Sequence, residues 1–124
     1  MVPPMPTEHT VAQISDLPEG THQVFRAGGR EIGIFNVKGR YYALPNHCFH
    51  QIGPLCRGSV SGTVVASAET DWKPIWVRDG EIIICPWHTM EFDITTGRCL
   101  ADPRHRLPTF EVRIVGSEIR VVLP

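Results

Sequence analysis

A cysteine and a histidine stand two residues apart at Cys48 and His50, and a second such pair stands three apart at Cys85 and His88. If the four side chains meet, two loops separated by the 34 residues from Gln51 to Ile84 must end side by side. In an extended loop, residues two apart point the same way, so Cys48 and His50 can address one object while Phe49 faces away. Pro86, at the second position of a tight turn, would bring Cys85 and His88 to a common side. A lone Cys-x-His reads most simply as a packed thiol beside a surface imidazole. Two pairs in one small chain, each at the end of a strand-like run, favour a shared metal. Two sulfurs and two nitrogens suit a tetrahedral structural zinc or a 2Fe-2S cluster with histidines on one iron, and spacing leaves both open.

The rest of the chain reads as strands between turns. The runs "HQVFRA", "EIGIFNV" and "RYYAL" are separated by Gly28-Gly29 and Lys38-Gly39, the pattern of a β-meander. "GTVVAS" follows the first loop. In "IWVRDGEIIIC", Asp79-Gly80 between two apolar runs predicts a two-residue hairpin that delivers Cys85. "EFDITTG", "TFEVRIV" and "EIRVVL" close the chain, the last two joined at Gly116-Ser117. Helical periodicity is absent apart from one turn near Asp16, so the expected class is all-β. The proline-rich start predicts a flexible tail over residues 1–9, followed by a single domain over residues 10–124.

Bulk properties narrow the function. With 124 residues there is room for one core, and 12 basic against 13 acidic side chains give a charge of −1, which argues against a broad nucleic-acid-binding face. The longest apolar runs are strand-length, so no membrane span is expected. "MVPPMPTEHT" does not read as a signal peptide, which makes a cytoplasmic location the expectation. Four cysteines in such a chain are better read as ligands or free thiols than as a disulfide framework.

The wording around the ligands goes further. "C-x-H" followed by "G-P-L", and later "C-P-W-H", resembles the Rieske iron–sulfur family, and the likeness runs from about Val11 to Leu123 through Gly58, Gly62, "FDITTG" at Phe92 to Gly97 and the strand led by Pro108. The resemblance implies an antiparallel β-sandwich or barrel with a cluster-binding subdomain of two hairpin-like loops. It implies one 2Fe-2S cluster per chain, with Cys48 and Cys85 on the inner iron and His50 and His88 on the outer. The chemistry implied is transfer of one electron. Too short for a catalytic oxygenase domain, the chain looks most like the ferredoxin component of a ring-hydroxylating dioxygenase system. Its partners would be a flavin-dependent NAD(P)H reductase and a terminal oxygenase. The alternatives are the small Rieske subunit of a nitrite reductase or other multi-subunit oxidoreductase, and a structural zinc-binding module.

Several positions depart from the family's pattern. The spacing between the loops is about twice the usual one, so an inserted β-excursion is expected at about residues 61–81, with Trp72, Lys73 and Trp76 flanking the cluster. Ile52 and Thr89 replace loop glycines. Gly53 and Trp87 stand where respiratory members carry a disulfide, which excludes that subgroup. Cys56 and Cys99 are expected as packed thiols. Met90 and Phe92 replace a serine and a tyrosine that donate hydrogen bonds to sulfur in high-potential members, which places the potential toward the low end of the ~−150 to +300 mV Rieske range. Arg57, Arg98, Arg104 and Arg106 read either as solvated charge or as a docking surface for an acidic partner.

Overall fold

The computed structural model describes residues 6–46, 54–86, 90–102 and 104–124. Within them the chain forms β1 (Thr7–Gln13), β2 (His22–Ala27), β3 (Arg30–Val37), β4 (Arg40–Pro45), β5 (Ser59–Val65), β6 (Ile75–Ile84), β7 (Glu91–Asp93), β8 (Glu111–Val115) and β9 (Glu118–Leu123). Every pairing among these strands is antiparallel. They form three sheets, ordered β1-β9-β8, β2-β3-β4 and β5-β6-β7.

The expected meander is the β2-β3-β4 sheet. Its two turns each place consecutive residues at left-handed φ, 56° and 77° at Gly28-Gly29, 53° and 89° at Lys38-Gly39, as two-residue hairpin turns demand. The middle strand, β3, sets the layering, because it is buried from Ile32 to Val37 and so packs on both faces. Ile32 and Ile34 join Leu17, Ala27, Ala43 and the β9 residues Ile119, Val121 and Leu123. Phe35 and Val37 join Leu44, Leu55, Ile83, Phe92 and Ile94. The meander is thus the middle layer, covered by β1-β9-β8 on one face and β5-β6-β7 on the other. Each fully buried side chain of this size contributes roughly 1.5–3 kcal/mol, so either covering sheet is tied down by its own inner face.

Two expectations are corrected. Thr7, Glu8 and His9, assigned to the tail, open β1 and pair with Leu123, Val122 and Val121. β9 pairs with β8 along one side, and β1 takes up the backbone hydrogen-bonding groups on its other side. Asp79-Gly80, in turn, does not reverse the chain. β6 continues through it along the same partner, with Val77 opposite Thr63 and Ile82 opposite Ser61, so the four residues from Arg78 to Glu81 stand against Gly62 alone. Arg78 and Gly80 do take left-handed φ values of 58° and 81°, but these form a bulge. Ion pairs hold it: Glu81 meets Lys38 at 3.1 Å and Arg78 at 3.3 Å, and Arg78 meets Asp93 of β7 at 2.8 Å. The β5–β6 reversal lies farther out, around the 3-10 turn Ala68–Thr70. No helix among the described residues is long and apolar enough to cross a membrane.

Candidate metal centre

Cys85 follows directly on Ile84, the last residue of β6, and is 0% exposed. Its N–H donates to the Met90 carbonyl at 2.9 Å, and Ile84 pairs with Glu91, so a connection of six residues returns the chain into β7. Pro86 is exposed within this connection, as its place in a turn requires. Cys85 belongs to the buried cluster that also holds Leu44, Leu55, Ile83, Phe92 and Ile94, with Met90 packed against it.

The first loop is closed at its base by one side chain. Asn46 Oδ1 accepts the Cys56 N–H at 2.8 Å, while Asn46 Nδ2 donates to Glu31 Oε2 at 2.9 Å and the Asn46 N–H donates to the Glu31 carbonyl at 3.1 Å. The chain therefore leaves and re-enters within one hydrogen-bonded frame. A 3-10 turn, Leu55–Arg57, then leads to Gly58, where an added Cβ would lie 1.8 Å from the Ile84 carbonyl oxygen. Ser59 pairs with Ile84. The end of the first loop is thereby pressed against the residue before Cys85, so both loops open at the same end of β5-β6-β7. Nothing local in the sequence marks Asn46 for this part, because its partners lie ten and fifteen positions away.

Of the four expected ligands, Cys85 is described; Cys48, His50 and His88 lie outside the described residues, as do Ile52, Gly53, Trp87 and Thr89. Cys56 and Cys99 are buried free thiols, as expected. Burial pushes the Cys56 thiol up to about 12 against an opposing hydrogen bond from the Gly33 backbone, so it stays protonated. Its Sγ donates to the Pro45 carbonyl at 3.4 Å and rests where a Gly33 side chain would be. A buried sulfur at the meeting point of two loops, with the neighbouring cysteines committed to packing, fits the thiolate position that a cluster's inner iron requires.

His22 of β2 stacks on Phe35 with ring centroids 5.0 Å apart. Burial lowers its pKa, opposed by hydrogen bonds with the backbone at Cys56 and Gly58. The arginines differ from one another. Arg57 is exposed beside the loop base, Arg104 forks onto Asp102 at 3.0 and 3.2 Å, and Arg106 Nε donates to the Thr96 carbonyl at 2.8 Å. Trp72 and Trp76 do not flank Cys85: the ladder carries them to its opposite end, where Trp76 pairs with Val64.

Residues 7–111 match the Rieske [2Fe-2S] domain. The chain is 29% identical over 113 residues to the ferredoxin component of the naphthalene 1,2-dioxygenase/salicylate 5-hydroxylase systems of a Ralstonia species, covering 90% of this chain and 89% of that one. It superposes with a TM-score of 0.69 at 27% identity on a chain in the complex of reduced oxygenase and oxidised ferredoxin of carbazole 1,9a-dioxygenase, covering 92% and 91%. The fold also matches a putative NADH-dependent nitrite reductase small subunit from Mycobacterium tuberculosis, with a TM-score of 0.71 at 19% identity over 98% of both chains. The loop-pair end of β5-β6-β7 and the match over most of its length make this chain a member of the Rieske [2Fe-2S] domain family.

Proposed function

We propose that the protein is a one-electron carrier of the Rieske ferredoxin type, taking electrons from a flavin-dependent NAD(P)H reductase and delivering them to a terminal oxygenase. The observation that carries this reading is the buried Cys85 at the end of a strand whose neighbour, β5, begins where the first loop ends. Cys48 and Cys85 would hold the inner iron, and His50 and His88 the outer. A bound cluster of this type supplies a one-electron couple. The chain's own residues fix the frame: Asn46 closes the first loop, Gly58 lets it approach Ile84, and the buried side chains around Cys85 keep water from its sulfur. Phe92, fully buried in that cluster, and Met90 have no hydroxyl to offer a sulfur, which suits a low potential and a nicotinamide-linked donor. The relative solved with its oxygenase supports the acceptor.

The test is a set of single cysteine replacements read by visible absorption with iron and sulfide analysis. Cys85→Ser should abolish the absorption, whereas Cys56→Ser and Cys99→Ser should keep it. Wild-type protein holding one zinc and no sulfide after anaerobic reconstitution would overturn the proposal, and so would loss of colour in a soluble, folded Cys56 or Cys99 variant.

A further inference from the structure

Beyond the bulge, β5 and β6 form a two-stranded ribbon that packs on neither core. Val64, Val65, Trp72, Ile75 and Trp76 are all exposed there, and none joins the side chains gathered around the two hydrophobic clusters. Val64 pairs with Trp76 and Val65 with Ile75, and successive strand residues point to opposite faces, so the ribbon is apolar on both. Trp76 is also held in place. Its ring lies over Gly62, where an added Cβ would come within 2.8–2.9 Å of the indole, and its Nε1–H donates to Asp79 Oδ1 at 3.1 Å. An exposed indole fixed in this way loses little freedom on being covered.

Among the described residues β5 is an edge strand, and its composition indicates what covers it. Edge strands are normally guarded by charge, proline or twist. The other five edges of the sheets among the described residues comply: β1 carries Glu8, β2 Arg26, β4 Arg40 and Pro45, β7 Glu91 and Asp93, and β8 Glu111 and Arg113. From Gly58 to Ala68, β5 and its flanks hold no ionisable residue and no proline. The unguarded edge and the unpacked apolar faces thus coincide on one short segment.

We propose that this segment is a homodimer interface, in which the outer half of β5 pairs antiparallel with the same strand of a second copy about a two-fold axis at Val64. Such an isologous pairing satisfies both edges at once and sets Val64 against its own counterpart. Pairing at the edge buries the two backbone edges and sets the Val64 side chains together, while Trp72 and Ile75, in the turn and on β6, stay on the outer surface, so the contact falls below the ~1,200 Å² of standard interfaces and the dimer is a weak one. The interface lies at the end of the ladder opposite Cys85, so both cluster-side ends stay open to other partners.

Sedimentation velocity of the full-length holoprotein tests this, from about 1 µM to about 200 µM, which brackets the micromolar affinity suited to an interface of this size. Wild-type protein should pass from monomer to dimer. Val64→Lys sets like charges against each other at the axis and should weaken the dimer tenfold or more, with the visible spectrum unchanged. Should that variant misfold, Val64→Cys decides: directly opposed antiparallel residues lie ~4.5–5.5 Å apart at Cα, within disulfide range, so mild oxidation should cross-link it far faster than Glu69→Cys in the turn. A wild-type chain that stays monomeric at the highest concentration, a dimer that a folded Val64→Lys leaves intact, or equal cross-linking at residues 64 and 69 would each overturn the proposal.

Discussion

The two halves of the β5–β6 ladder are made of the same kind of residue and meet opposite fates. In the inner half, Ile82, Ile83 and Cys85 are buried. In the outer half, Ile75 and Trp76, on the same strand, lie open to solvent. The boundary is the bulge, where Arg78 to Glu81 stand against Gly62. Burial is therefore decided by what lies across from a strand and not by its hydrophobicity. The inner half faces Phe35, Val37 and Leu44 of the meander, while the outer half has run past the end of that layer. The inner half can then serve as a rigid floor for the loops, and the outer half is left as surface.

The largest way to break the inner half is Gly58→Ala. The added methyl would sit 1.8 Å from the Ile84 carbonyl oxygen, and since a Cβ has no rotamer to escape by and the oxygen is backbone, the strands themselves must part. We expect a loss of at least about 3 kcal/mol in urea unfolding, beyond the usual cost of an overpacked side chain. Iron and sulfide content should fall with it, because Cys85 follows Ile84. A Gly58→Ala protein of wild-type stability and full iron content would mean that the two loops are not registered through this contact.

How much of this was legible beforehand follows from where each instruction resides. The meander was readable because its turns are built from adjacent residues, Gly28-Gly29 and Lys38-Gly39, whose left-handed φ is a local property. The sandwich was legible only through the family resemblance, and its physical cause, a β3 buried on both faces, shows in the structure. Cys56 and Cys99 were correctly read as packed thiols, lacking a histidine at ligand spacing. Asp79-Gly80 was misread because a left-handed glycine serves a turn and a bulge equally well. The choice between them is made by Gly62 across the ladder and by Lys38 and Asp93, each more than ten positions away. Asn46 stayed hidden for the same reason, since its hydrogen bonds to Glu31 and Cys56 have no local signature. The strand that closes over residues 7–9 was missed because its cause is β9, at the far end of the chain.

A middle-sized effect is expected at the boundary itself. Burial works to raise the Asp93 carboxyl, but hydrogen bonds from Arg78, Thr95 and Thr96 outweigh it and hold the group below its usual value. A carboxyl lowered in the folded state contributes stability above its ordinary pKa, and that contribution is lost as pH falls through the lowered value. Arg78→Met removes the main partner, so Asp93 should titrate at higher pH and acid unfolding should begin at higher pH than in wild type. At neutral pH, Asp93 is left buried and charged. Complete burial of such a pair would put the loss at ~3–5 kcal/mol, and with the Arg78 side chain 34% exposed we expect about 2 kcal/mol. Unfolding by urea at several pH values checks both statements. An acid transition that does not move would show that the bulge is held by Glu81 and Lys38 without Asp93.

The smallest effect isolates the outer half. Ile75→Thr keeps a β-branched side chain in a strand position while removing apolar surface, and Ile75 is exposed. Measured at a protein concentration low enough that self-association adds nothing, it should change stability by no more than ~0.5 kcal/mol. Ile83→Ala, eight positions along the same strand and fully buried, should cost ~2–5 kcal/mol. The pair of measurements makes the contrast quantitative, since both sites begin as isoleucine in one strand and differ in what covers them. A cost above ~1 kcal/mol at Ile75 in the monomer would mean that the ribbon folds back onto its own chain, which would remove the exposed surface on which pairing with a second copy depends.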